Sequence, residues 1–185
     1  MTRVYAVGRP PGFADTILIN ADKNPNTAGV RAITGGKGFG ASDLANDLQG
    51  GALAGLLCFG DPCLDAAGVA AARRIKTVLL APHETDLTKA SDVALPAALW
   101  AEGDATFTNA KGMVQRARKA LEPAGHARPM WSVVSLLAPR LGYAVSWPSA
   151  RAVFDDLQRS VPEFASADFG RDLPTLQLRF RNSRG

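Results

Sequence analysis

The 185-residue chain has two cysteines and two histidines, and this scarcity excludes much chemistry. Cys58 and Cys63 are five positions apart with no second pair, whereas four-ligand zinc and iron–sulfur sites need more thiolates. Cys58, inside Leu56-Leu57-Cys58-Phe59, reads as a small core residue, and Cys63, after Pro62, as half-exposed. His83 and His126 each lie in a loop beside proline or glycine and have no partner at the spacing of a triad or a metal site. There is no Gly-x-Ser-x-Gly motif. No stretch reaches 18 uninterrupted apolar residues, and Met1–Tyr5 lacks an apolar signal core. Membrane contact is therefore expected only through partners, and a cytoplasmic location follows by default.

Hydrophobic residues make up 46% and charged residues 21%, the balance of a globular chain. The formal charge is +4, and Arg179, Arg181 and Arg184 crowd the end. A basic tail that binds single-stranded nucleic acid needs interleaved aromatics. This one offers only Phe180, so it reads as solvated or partner-bound, with no nucleic-acid partner.

Turn signals dominate the first forty residues: Pro10-Pro11-Gly12, Asn24-Pro25-Asn26 and a flexible loop Gly35–Gly40. Ala14–Ile19 can be a short helix or strand. Ser42 is the expected cap of a helix Asp43–Leu48. Ala54–Phe59 is a glycine-bounded apolar run, expected as a strand buried on both faces. Helix Asp65–Arg74, strand Lys76–Leu80, helix Thr85–Ala90 and strand Asp92–Pro96 follow. The alternation predicts parallel βαβ units, with Leu57, Val78, Leu80 and Val93 among the most buried positions. Beyond Pro96 come a brief helix Ala97–Glu102, two extended segments around Asn109–Gly112, and a helix Met130–Leu141 stopped by Gly142. Ser149 caps a helix Ala150–Arg159, and the last twenty residues read as extended.

The set Gly36-x-Gly38-x-x-Ala41 only loosely matches a dinucleotide fingerprint, because no strand precedes it; a linker is the better reading. Asp155-Asp156 reads as a solvated helix face.

Ala90 to Gln115 carries the most specific pattern. Ala90-Ser91-Asp92-Val93-Ala94-Leu95-Pro96 and Glu102-Gly103-Asp104-Ala105-Thr106-Phe107-Thr108-Asn109-Ala110-Lys111-Gly112-Met113-Val114-Gln115 resemble the "ADVVLP" strand and "E-x-x-G-T-F-T-N-x-E-G-R-V-Q" signature of molybdopterin oxidoreductases. Arg128-Pro129-Met130-Trp131 is similar to that family's "A-R-P-D-W", Phe59-Gly60-Asp61-Pro62 to its "GxNP" turn, and Asp22-Lys23-Asn24-Pro25-Asn26 to "DKNPN". The resemblance spans about residues 15 to 145, and its details look closest to the large iron–sulfur subunit of NADH–quinone oxidoreductase, complex I.

The resemblance implies a partial doubly wound α/β sheet with a small α+β extension. The divisions it suggests are an irregular segment 1–40, a parallel-sheet domain 41–97, an extension 98–162 and an extended basic tail 163–185. In such sheets ligands bind past the carboxyl ends of the strands. The pterin-loop positions, read here as vestigial, are then Asp61, His83, Glu84, Glu102, Thr108 and Asn109. The family's glycine, glutamate and arginine are here Ala105, Lys111 and Met113, and the lost arginine removes a bidentate anchor. No catalytic residue, metal ligand or cofactor of this chain's own is expected. The implied role is a structural subunit of a complex I-like assembly, in a hetero-oligomer with a larger redox subunit that holds the iron–sulfur clusters. The alternative is a split half of a molybdopterin enzyme, contributing one pterin-guanine-dinucleotide-binding lobe. Trp100, Phe107, Trp131 and Trp147 are candidate interface anchors, with a second small core as the competing role for Trp100 and Trp131.

Overall fold

The three glycine- and proline-bounded apolar runs become strands β1 (Gly55–Phe59), β2 (Lys76–Ala81) and β3 (Val93–Pro96). They form a parallel sheet with β2 in the middle. The computed structural model describes residues 3–17 and 19–170. Helices α1 (Thr27–Thr34) and α2 (Ala41–Gln49) precede the sheet, and α3 (Ala66–Ala72) and α4 (Asp86–Ala90) are the crossovers within it.

The crossovers start where their sequences provide caps. Asp65 Oδ1 accepts from the Gly68 N–H at 2.8 Å, and the Thr85 and Thr88 hydroxyls each accept the other's backbone N–H. At the start of β2, Asp92 Oδ2 accepts from the Thr77 N–H at 2.9 Å and Oδ1 from Lys76 Nζ at 2.7 Å. One carboxylate thus fixes where β2 and β3 begin relative to each other.

Helices cover one face of the sheet. Leu44 and Leu48 of α2, Ala71 and Ala72 of α3 and Leu87 of α4 bury Cys58 and Leu79 in a single core. On the opposite face, register aligns Leu57, Val78 and Val93 in one row, and Phe59, Leu80 and Leu95 in the next. Of these six only Leu80 is fully buried; Leu57, Phe59 and Val93 are 43%, 48% and 44% exposed. The expectation of strands buried on both faces is therefore corrected for Leu57 and Val93. Their runs are apolar, as buried strands are, but on that side the described residues cover Leu80 fully and leave Leu57, Phe59 and Val93 exposed.

Several other expectations change. The N-terminal forty residues contain α1, which β-branched Thr27, Val30, Ile33 and Thr34 made hard to see. Residues 14–19 form bends rather than a helix or strand among those described. Helix α2 begins at Ala41 with Gly40, not Ser42, as its cap, because Asp43 Oδ2 reaches back to the Gly40 N–H at 2.8 Å. The brief helix after Pro96 shrinks to a 3-10 turn, Trp100–Glu102. Strands β4 (Ala105–Thr108) and β5 (Val114–Ala117) make an antiparallel hairpin closed by positive-φ Gly112. Helix α5 (Met130–Leu137) tightens into a 3-10 turn, Ala138–Leu141, at Pro139. Residues 163–170 are not a free extended tail. After helix α6 (Ala150–Ser160), Phe164 and Phe169 fold back onto Phe154 in a second core that also touches Ala32 and Val114. Arg179, Arg181 and Arg184 lie outside the described residues.

Candidate functional site

Parallel strands point their carboxyl ends the same way, so the loops after β1, β2 and β3 gather at one end of the sheet. After β1, Gly60 adopts a φ of +86° and its N–H donates to Leu80 O at 2.8 Å. Asp61 Oδ1 accepts from the Cys63 N–H at 2.7 Å, and this turn sets Cys63 at a φ of +53°. After β2, Pro82-His83-Glu84 runs exposed into α4, and Glu84 pairs with Lys89 Nζ at 3.0 Å. After β3, the Ala97 N–H donates to Ala81 O, and Ala98 and Arg128 tie the chain to the start of α5.

Two cavities open on this sheet. The smaller, about 430 Å3, lies past β2 and β3, with Ala81, Leu95 and Pro96 as an apolar floor and His83, Thr88 and Lys89 above it. The larger, about 830 Å3, runs along β1 from Ala52 to Pro62 and takes in Asp61.

The six candidate positions therefore divide. His83 and Glu84 share the smaller cavity and Asp61 lies in the larger, while Glu102, Thr108 and Asn109 line neither. Glu102 and Asn109 use their side chains on backbone N–H groups, and Thr108 is held through its own N–H. Glu102 Oε2 accepts from the Leu99 N–H at 2.8 Å. The Thr108 N–H donates to Asn26 Oδ1 at 2.7 Å. Asn109 Oδ1 accepts from the N–H groups of Lys111 and Met113, shaping the hairpin turn. Met113 is 49% exposed on that turn and lines neither cavity, so an arginine's absence there takes no donor from either.

Lys89, Thr88 and Asn26 were missed as participants. The first two followed from the helix after the second strand, since that helix starts at the sheet's ligand-binding end. Asn26 belongs to a quoted motif whose role only the fold reveals. Burial first, and the Asp61 carboxylate second, push the Cys58 thiol up to about 11, so it is protonated at neutral pH. Cys63 is exposed. Among the described residues, no three of His, Cys, Asp and Glu converge as metal ligands, and no helix is long and apolar enough to cross a membrane.

Residues 69–140, from α3 through the second strand-end loop and the hairpin to α5, match the molybdopterin oxidoreductase family. Formate dehydrogenases are among the relatives found. The formate dehydrogenase 2 alpha subunit of Methanococcus maripaludis is 43% identical over 89 residues, 47% of this chain and 13% of that protein. Formate dehydrogenase H of Escherichia coli is 28% identical over 156 residues, 81% of this chain and 22% of its own length. A putative formate dehydrogenase of Staphylococcus aureus is 36% identical over 81 residues, 44% of this chain and 8% of that protein. None of these is a complex I subunit, so the expected kinship with complex I has no support among them. The chain spans about an eighth of the first of these relatives.

Proposed function

We propose that this chain is one lobe of a formate dehydrogenase-type molybdopterin enzyme. It works with a larger, cofactor-bearing portion of the fold and contributes the strand-end loops that hold part of a pterin-guanine dinucleotide. The observation that carries this reading is the smaller cavity: it sits at the carboxyl ends of β2 and β3, inside the family segment.

The lining fits such a ligand. Lys89 supplies a cation for a pyrophosphate, His83 an imidazole for a base edge or phosphate, and Ala81, Leu95 and Pro96 an apolar surface for a planar ring. Glu84, 3.0 Å from Lys89 and largely exposed, holds the ammonium at the rim until an anion competes for it. When bound, a molybdopterin supplies the metal centre through which two electrons leave the substrate. This chain's residues orient the dinucleotide and keep water from one side of it. The formate-type activity belongs to the whole assembly and not to this lobe.

A cofactor-free structural role is the second reading. Glu102, Thr108 and Asn109 favour it, because the backbone already uses their side chains or N–H groups. Guanine nucleotide and pterin released by acid from the native assembly decide between them. The lobe reading expects stoichiometric release, reduced several-fold by Lys89→Ala with His83→Ala. A structural role expects no change on substitution.

A further inference from the structure

The β4–β5 hairpin has one edge that is engaged and one that is not. At its turn the Asn109 N–H donates to Met113 O. Opposed residues in an antiparallel ladder alternate between bonded and unbonded pairs. Phe107 with Gln115 and Ala105 with Ala117 are therefore bonded pairs, and Thr108, Val114 and Arg116 point away from the partner strand. Thr108 fits this parity, since its N–H leaves the hairpin to reach Asn26. Val114 and Arg116 point out beyond β5, and no described residue bonds their N–H or C=O groups. A two-stranded hairpin is marginal on its own, and a third strand is a common source of stability for such a sheet.

The chain carries a strand-like sequence close to this edge. Residues 176–181 read Leu-Gln-Leu-Arg-Phe-Arg, apolar and polar in strict alternation. That is the period of a strand with one buried face. The described chain arrives at β5 just before this run. The Phe169 ring lies 4.3 Å from the guanidinium carbon of Arg116 and packs on Phe154, in the core that Val114 joins. Residues 171–175 can span roughly 17 Å when extended, enough to turn the chain back along a four-residue strand. Pro174 stands ahead of the alternating run, where a missing N–H costs the ladder nothing.

We infer that residues 176–181 dock on the free edge of β5, antiparallel to it, as the third strand of the hairpin sheet. The antiparallel sense continues the pairing that β4 and β5 already have, and sheets of one sense are favoured over mixed ones. Directly opposed residues share a face. With Leu176, Leu178 and Phe180 opposite the residues of β5 that bond outward, their side chains extend the apolar surface of Val114 and Phe169. Gln177, Arg179 and Arg181 then fall on the other face, and their N–H groups on the new outer edge. Cationic side chains at such an edge discourage further pairing, so the same alternation both fills one edge and protects the next.

Hydrogen exchange resolved to single amides, on the full chain, tests this. The Val114 and Arg116 amides should exchange at least tenfold more slowly than free amides. A nuclear Overhauser contact between the backbone of Leu178 and that of Val114 or Arg116 should accompany the protection. Leu178→Pro removes an N–H that faces β5 and should speed exchange at both amides at least tenfold. Arg179→Pro removes an N–H on the outer edge, where proline is tolerated, and should leave both rates unchanged. The Leu79 amide, in the central strand of the other sheet, should stay protected in both variants, which separates loss of the strand from loss of the fold. Val114 and Arg116 amides that exchange freely in the parent chain overturn the inference. So do rates that respond equally to the two prolines in folded variants, and so does protection that rises with chain concentration, which assigns the edge to a second copy. Where a variant loses Leu79 protection, the parent's Overhauser contact decides alone: its presence supports the strand and its absence overturns it.

Discussion

Asn26 Oδ1 accepts a hydrogen bond from the backbone N–H of Thr108, 82 positions away, at 2.7 Å. The bond joins the Asp22–Asn26 motif to the Thr106–Asn109 motif, and buried Thr108 sits under it. Asn26→Ala leaves the Thr108 N–H unsatisfied and should cost about 1–3 kcal/mol, read from the urea midpoint at constant slope. Asn26→Asp keeps an acceptor and should recover most of the loss. Gly29 confirms how tight the joint is. A Cβ there would lie 2.6 Å from Asn26 Oδ1 and 2.8 Å from Thr108 Oγ1. Gly29→Ala should therefore destabilise, although alanine is the better helix former.

The two faces of the sheet should respond differently to truncation. Leu79 is fully buried beneath the helices, and Leu79→Ala should cost about 2–5 kcal/mol. Leu57→Ala, one strand over on the open face, should cost the isolated chain less than about 1 kcal/mol. Equal losses in equilibrium unfolding would mean that the open face is packed in solution.

Acid should weaken the joint between β2 and β3 and the anchor of the N-terminal segment on α2. The Lys76 ammonium first, and the Thr77 N–H second, hold the Asp92 carboxyl below the usual carboxylate range. The Tyr5 hydroxyl first, and Arg3 second, do the same for Asp47. A depressed carboxyl contributes stability above its unfolded value, about 4. That contribution is lost as pH falls through the lower folded value. Stability should thus decline between about pH 5 and pH 2, and Asp92→Asn should flatten the decline. A variant with the parent's slope contradicts this assignment.

The two thiols should be distinguishable. Exposed Cys63 should react with a thiol reagent in the native protein at neutral pH. Cys58, buried and pushed up to about 11, should react only on unfolding. Labelling followed by peptide mapping reads both.

Much of the sheet was legible because its signals are local. Asp65 and Thr85 announced α3 and α4, and glycine and proline bounded each apolar run. What escaped depends on what packs against what. Apolarity marked Leu57 and Val93 as strand residues but could not reveal that their face leaves them exposed. Phe164 and Phe169 looked like part of a tail because their partner, Phe154, lies in another helix. At the site, His83 and Glu84 followed from the rule that ligands bind past strand ends. Asp61 proved to lie in a second cavity. Glu102, Thr108 and Asn109 were flagged by motif, yet their roles are a cap, a cross-chain bond and a hairpin turn.

Molybdenum or tungsten, measured per mole of this chain in the native assembly, bears most directly on the proposed lobe. The account predicts about one metal atom for each copy of the chain. An assembly of full size that contains the chain, but neither metal nor pterin, would contradict it.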